Sequence, residues 1–400
     1  VVPDDLFRFT LTGIQASFRA KHQATRLSRL LCPDRRFTIR PNLENQTRGN
    51  IDEINRPVLI NGGAFGEWQP KSFIGRPYFD RPGKANNQDG SVPKPDYNRW
   101  QYGGDLGGPI IPDVLHFFAA FEATDQRLPA NTINLQVSQG VPAALAQQYN
   151  GNAPQDFSQR LYFGKLTFFA TEADTVDISS FLRRESNLSD FGGTGVPEHG
   201  RTLKSKNDLY QFQWTHRGDN TLNEFIVAYQ KVENGTPRVT DGAEIILTPP
   251  RVLPALQPST DTIAALGGAS FEQNDGQRTL TIRDNYTVNM DTHILKGGVR
   301  LAFNKLSREE DFRSNGTYFF EGPRYTSFDA STPFSASIST VPVQPARTNN
   351  TQIGVFIQDD WTPDEHWTIN AGIRWEQWKG SLPAQTSPDG TWVMTSGFMQ

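Results

Sequence analysis

Residues 351–378 read TQIGVFIQDDWTPDEHWTINAGIRWEQW, and their pattern decides the fold. Before the turn, Ile353, Val355 and Ile357 share one side. After it, Trp367, Ile369, Ala371, Ile373 and Trp375 share one side, and Thr368, Asn370, Gly372, Arg374 and Glu376 take the other. A repeat of two belongs to extended strands, because successive side chains leave opposite faces of the pleat. One face suits hydrocarbon and the other suits water.

The same test finds four more hairpins. In residues 160–186, Tyr162, Leu166 and Phe168 oppose Lys165 and Thr167, with a turn near Glu172 to Asp174. In residues 208–232, Tyr210, Phe212 and Trp214 oppose Gln211, Gln213 and Thr215. The turn there falls at Arg217 to Asn220, and Phe225, Val227 and Tyr229 follow. In residues 277–306, Leu280, Ile282, Tyr286 and Val288 precede a turn at Asn289 to Thr292. Leu295, Gly297, Val299, Leu301 and Phe303 then oppose Lys296, Arg300 and Asn304. A less regular pair joins Trp100–Ile110 to Val114–Gln126 through Ile111-Pro112-Asp113.

Each alternating run is about ten residues or a little more, the length that crosses a bilayer when tilted. Connections within hairpins are short. Between hairpins they run from about Leu128 to Phe157, Asn187 to Lys206, Glu233 to Gly276 and Ser307 to Asn350. They are rich in turn-forming residues and read as irregular loops without a motif. Loops this long are uncommon in compact soluble domains. Short turns on one side and long loops on the other suit an outer-membrane barrel. Aromatics near strand ends, such as Trp361, Trp367, Trp375 and Trp378, resemble an interfacial girdle, although any strand favours aromatics.

The chain has 400 residues and a formal net charge of -4, so no affinity for nucleic acid is implied. Cys32 is the one cysteine, which excludes an internal disulfide. No run of 18 apolar residues exists, so a membrane role requires strands. The chain opens at Val1 rather than Met and stops at Gln400 after the strand-like TWVMTSGFMQ, so we expect a piece of a longer protein. Residues 1–60 stand outside the rhythm as a segment of uncertain role, either the end of a plug or a non-native boundary. Arg19, Lys21, Arg26, Arg29, Arg35, Arg36, Arg40 and Arg48 make it basic, and Ile14, Phe18, Leu27, Leu30 and Leu31 give it a weak amphipathic pattern. A charge-rich terminus is usually a solvated or frayed end.

Three stretches carry a resemblance. In Tyr97 to Arg127, Asn98, Tyr102, Gly103, Gly104, Leu106, Gly107, Gly108, Pro109, Ile110, Phe117, Phe118 and Glu122 match the block that opens the barrel of Oar-like TonB-dependent receptors. In Gly354 to Glu376, Gln358, Asp359, Asp360, Trp361, Thr368, Asn370, Gly372, Arg374 and Glu376 are similar to that family's "FxQDDW…LTLNxGLRYE" hairpin. Leu295 to Phe303 is similar to its "HxLKxGxxF" strand. The resemblance implies that residues 61–400 form part of an all-β, antiparallel transmembrane barrel of about 22 strands with long extracellular loops. It also implies a receptor in the bacterial outer membrane that imports a nutrient with energy relayed by the TonB complex through a plug. Bilayer lipid and lipopolysaccharide are the expected surroundings. The ligand class stays open among oligosaccharides, peptides and chelates.

The remaining motifs favour plain readings. Gly103 to Gly108 lacks the spacing of a phosphate cradle, and close backbone approach in a curved sheet explains it better. Asp359 and Asp360 are adjacent on a strand, so their carboxylates diverge rather than ligate a metal. His22, His116, His199, His216, His293 and His366 are scattered without paired spacing. The three near short turns, His216, His293 and His366, read as solvated rim residues. Arg217-Gly218-Asp219 reads as a tight turn. No nucleophile constellation is recognisable, and neither enzymatic activity nor a cofactor or metal is expected. The rival is a soluble all-β carbohydrate-binding or propeller-type protein, which would bury both strand faces. The polar faces, including Lys165, Gln211, Gln213, Lys296, Arg300, Asn304, Asn370, Arg374 and Glu376, are expected to line a lumen and meet the plug.

Overall fold

A computed structural model describes residues 60–75, 82–83, 94, 96–250, 261–339 and 346–382, with short pieces at 385–386, 393–394 and 397–399. The chain divides into two units, Val1–Pro57 and Val58–Gln400, and all described residues belong to the second. The basic, weakly amphipathic pattern between Ile14 and Arg48 therefore lies outside the described residues.

In chain order the strands are β1 (Asn61–Pro70), β2 (Asn98–Ile111), β3 (Leu115–Ile133), β4 (Gly151–Phe169), β5 (Asp174–Ser189), β6 (Arg201–Arg217) and β7 (Thr221–Gly235). There follow β8 (Glu244–Thr248), β9 (Ala264–Gly267), β10 (Phe271–Met290), β11 (His293–Phe312), β12 (Thr317–Glu321) and β13 (Ser335–Ser337). The last are β14 (Ala346–Asp364), β15 (Trp367–Leu382), β16 (Gln385–Thr386), β17 (Val393–Met394) and β18 (Gly397–Met399). One helix, α1 (Ala143–Tyr149), lies in the connection between β3 and β4.

Twelve strands form one sheet in the order β1-β2-β3-β4-β5-β6-β7-β10-β11-β14-β15-β18. Nearly every neighbour is a sequence neighbour, as hairpin after hairpin requires. All pairs within this sheet are antiparallel. The five expected hairpins all form, with their short turns at the expected positions. Asp113 and Asp291 hold left-handed backbone in two of these turns, with φ of 60° and 41°. Aspartate tolerates that conformation because its short side chain bonds locally.

The register carries the alternation across the sheet. Leu166 stands opposite Ile178, Ile178 opposite Phe212, Phe212 opposite Val227, and Val227 opposite Ile282. The row continues through Leu301 to Ile353. This apolar face is left open, with Ile178 53% exposed, Trp375 52% and Ile373 72%. A soluble fold would bury such a face, so the soluble alternative fails on this observation. The opposite face carries Lys165 opposite Ser179, Ser179 opposite Gln211, and Arg283 opposite Arg300. Every residue expected on the polar side lies on it. That face is not uniformly polar, since Phe118 and Phe163 meet there at 5.9 Å between ring centres.

Two expectations need correction. The strands are longer than ten residues, reaching 14 in β2 and 20 in β10. On the open face of β10, Leu280, Ile282, Tyr286, Val288 and Met290 still span about a bilayer length, interrupted by Asp284, which accepts a hydrogen bond from Asn223 at 2.8 Å. Beyond this span the strand continues with charged residues, which water satisfies. The long connections are also not irregular. Two of them supply β8, β9, β12 and β13, which form a separate four-stranded sheet in the order β13-β12-β8-β9. β8 and β12 pair in parallel, joining connections far apart in sequence.

Candidate functional site

Four long connections meet at one end of the large sheet and fold into a cap. The first contributes Leu135, Val141 and Ala146 of α1. The second contributes Phe191 and Val196, the third Leu247, Ile263, Ala264 and Leu266, and the fourth Phe320 and Tyr325. These residues make the principal hydrophobic core of the described chain. Phe320 packs edge-on against Tyr325 at 5.2 Å and against Phe328 at 6.1 Å. Isolated bridges from Ile133 to Gly193 and from Gly195 to Ala265 tie the first three connections together. Little in the amino-acid order marks this core, because its residues come singly or in short β runs of three to five residues. Burying each large apolar side chain stabilises by about 1.5–3 kcal/mol, so ordering the connections together is physically sustainable.

Most buried polar groups of the cap that carry charge are paired, while Asp311 Oδ1 and Arg313 Nε are buried with no hydrogen-bond partner among the described residues. Glu244 is 7% exposed. Its carboxylate accepts a hydrogen bond from Thr317 Oγ1 at 2.6 Å and lies 2.9 Å from His199 Nε2. Burial alone would raise the Glu244 pKa, but hydrogen bonds from His199, Thr317 and Ser270, with the His199 charge, outweigh it and hold the carboxyl below its ordinary value. His199, expected to stand alone, thus has a defined partner. The Arg238 side chain, 5% exposed, bonds Asp311 at 2.9 Å and Glu272 at 3.4 Å, pinning the third connection to β10 and β11. Burial raises the Tyr149 and Tyr325 hydroxyls above the usual tyrosine value.

A concavity of about 480 Å³ opens on the polar face of the large sheet. Arg283, Lys296, Arg300, Phe356, Gln358 and Arg374 line it. Gly354 and Gly372 form part of its floor, where a Cβ at Gly372 would stand 2.8 Å from the Gln358 side chain. Arg374 donates to Glu376 and lies 5.9 Å from the centre of the Phe356 ring. Arg283 and Lys296 have no carboxylate partner among the described residues. This surface can bind an anionic group but has no acid–base pair or nucleophile. No cluster of three metal-ligating side chains occurs among the described residues.

The motif residues therefore divide. Gln358 and Arg374 line the polar concavity, Glu376 accepts a hydrogen bond from Arg374 beside it, and Asp360 lies on the same face opposite Asn370. Asp359 and Trp361 take the apolar side, as divergence of the two aspartates required. Asp359 lies 2.6 Å from His293 Nδ1, and the His293 and Trp361 rings stack at 5.5 Å. A matching cluster joins Asp174 to His216 at 2.8 Å and to Trp214 Nε1 at 3.0 Å. His366 lies 3.5 Å from Asp364. The three rim histidines are thus each beside an aspartate rather than free. The signal for this, one Asp, one His and one Trp near each turn, was present but split between strands far apart in sequence.

Gly103, Gly104, Gly107, Gly108 and Pro109 lie in β2, where the chain is held between β1 and β3. A Cβ at Gly104 would stand 2.8 Å from the Gly63 carbonyl oxygen, and one at Gly103 would strike the Phe121 carbonyl and the Phe65 ring. Close approach accounts for these two glycines. Pro109 precedes a break in register between β2 and β3, a position where a missing N–H is tolerated.

Comparison with known proteins agrees with this architecture. A family model described as an outer membrane beta barrel domain matches residues 60–141 and 132–386. The TonB-dependent transporter Oar of Myxococcus xanthus is 22% identical over 84% of this chain. That alignment spans 38% of the Oar sequence, so the chain covers well under half the length of this curated relative. Among solved structures, the outer membrane transporter YddB of Escherichia coli superposes with a TM-score of 0.50 at 12% identity, covering 75% of this chain and 38% of that one. The siderophore receptor PirA of Acinetobacter baumannii gives a TM-score of 0.43 at 13% identity, over 83% of this chain and 42% of that one. With its open apolar face, its short turns at one end and its long connections at the other, the chain belongs to the outer membrane beta-barrel family and spans the bacterial outer membrane with antiparallel strands.

Proposed function

We propose that this chain is the ligand-capturing part of a TonB-dependent importer. The cap would hold a nutrient at the cell surface, and the polar face would line the route inward beside a plug. The observation that carries the reading is the cap itself, because four connections fold together into one ordered surface rather than separate loops. Ordered binding surfaces on a rigid barrel are the usual place for recognition. The named relative, a TonB-dependent transporter, supports energy coupling. The concavity lined by Arg283, Lys296, Arg300 and Arg374 supports passage of a ligand bearing negative charge. Transport rather than catalysis suits a surface with no nucleophile at either site.

The test uses the full-length protein in its own outer membrane. Cells are offered labelled oligosaccharides, peptides and metal chelates, before and after residues 244–267 are replaced by a Gly/Ser linker. Binding of one class should vanish with the replacement while the barrel remains folded, and uptake should stop when the proton gradient is collapsed. Binding that survives the replacement, or uptake that ignores the gradient, overturns the reading.

A further inference from the structure

The polar face of the large sheet holds its cations in two different ways. Lys165 lies 3.0 Å from Asp177, Arg308 lies 2.8 Å from Asp275, and Arg183 is bonded to Glu185, so these charges cancel within the wall. In the concavity, Arg283, Lys296 and Arg300 form no ion pair among the described residues. Arg300 donates to Gln352 at 3.5 Å, which leaves its charge uncompensated. The carboxylates of this region do not cancel the three. Glu376 is held by Arg374, and Glu224, opposite Asn285 on β7, forms no ion pair among the described residues.

The register gives these charges a definite arrangement. Arg283 of β10 stands directly opposite Arg300 of β11. Like charges in that position destabilise a sheet. Lys296 lies four residues along β11 from Arg300 and on the same face, so their backbone positions are about 13 Å apart. Midway between them, Gly298 faces Phe356 of β14, and Phe356 faces Arg374 of β15. A Cβ at Gly298 would stand 2.5 Å from the Phe356 ring, so the ring lies over the glycine. Gly354 opposite Arg300 and Gly372 opposite Gln358 carry no side chain, which keeps the space beside the ring open. The hollow thus has positive charge at both ends and an aromatic ring on the floor between them.

We propose that this hollow binds a dianion whose two acid groups are separated by roughly 10–13 Å and joined by a flat apolar body. One acid group sits between Arg283 and Arg300 and relieves their repulsion. The other reaches Lys296, with Gln358 beside it as a neutral donor. The body between them lies on the Phe356 ring. Carboxylates and phosphates are the groups that such donors hold most strongly. A single acid group would leave one end uncompensated, and a neutral sugar would leave both. The inference narrows the nutrient of the import reading to acidic compounds, and its place in uptake rests on that reading.

The probe is a biphenyl with a carboxylate at each para end, a flat dianion of about the required length. The comparisons are the biphenyl with one carboxylate and the neutral biphenyl dimethanol. Each is titrated against the purified full-length protein in detergent. The parent should hold the dianion most tightly and the neutral compound least. Losing one charge-assisted hydrogen bond weakens binding about tenfold to a hundredfold, so R283Q and K296Q should each lower affinity for the dianion by that factor. R283K keeps the charge and should lose less. K165Q removes one charge elsewhere on the same face and should bind like the parent. Because R283Q removes the facing repulsion, it should resist urea at least as well as the parent. Equal binding by the parent, R283Q and K296Q overturns the proposal. An equal loss in K165Q, or no saturable binding by the parent, also overturns it. So does an R283Q that binds normally but unfolds more easily, since Arg283 would then serve the sheet alone. Were R283Q unfolded, K296Q decides the question. This titration needs no proton gradient, so uptake that ignores the gradient ends the import reading and leaves the site standing. Absent binding ends the site and leaves the import reading standing.

Discussion

Truncating Phe320 to alanine separates the stability of the cap from that of the barrel. Phe320 is 1% exposed in β12, stands in register with Leu247 of β8, and touches Tyr325 and Phe328. Removing a buried phenylalanine ring costs about 3–5 kcal/mol, the transfer loss and the residual cavity together. At 1.36 kcal/mol per tenfold, that raises the open population of the cap by about 10²- to 10³-fold or more. Both rings that Phe320 packs against belong to the fourth connection rather than to the large sheet. Hydrogen exchange on the full-length protein should therefore show faster exchange at residues 244–248 and 317–321. Residues 225–229 and 280–284 should keep their protection. Equal loss of protection in both regions would show that cap and barrel open as one unit. No change at either would show that the Phe320 core does not hold the cap together.

Three further outcomes follow from other parts of the molecule. Ile373 faces lipid, so Ile373→Arg should destabilise folding into bilayers by about 2–4 kcal/mol, while N370R on the polar face should change it far less; urea titration in vesicles distinguishes them. Gly104→Val should strain the β1–β2 pairing through its approach to the Gly63 carbonyl, seen as a lowered Tm; a Tm equal to the parent's refutes the close-approach account. The Glu244 carboxyl titrates lower in the folded cap than in the unfolded chain, so its contribution is present above the ordinary carboxylate range and is lost as pH falls through its folded value. Exchange at residues 244–248 should accelerate on acidification in the parent, and Glu244→Gln should flatten that pH dependence.

The large sheet was legible because its information is local. Ile353, Val355 and Ile357 betray their shared face within five residues, and the turn at Asp291 lies between two such runs. Register then follows from hairpin closure, since short turns leave each strand one way to pair with alternation preserved. The rim clusters were half legible. His293 was seen beside a turn, but its partners Asp359 and Trp361 are about sixty-six residues away and arrive only when β11 and β14 pair. The cap was not legible, because no single connection carries enough apolar residues to form a core.

The amino-acid order alone was enough to establish amphipathic strands, the apolar side of each, and short turns and long connections at opposite ends. Those properties depend on a repeat of two and on neighbours a few residues apart. The folded chain was needed to learn that four connections share one core, that β8 and β12 run in parallel, and that Lys231, Arg278 and Lys305 stand in a row. Each of those facts joins residues tens of positions apart, where the gain from burial or the cost of like charge exists only after the strands have been brought side by side.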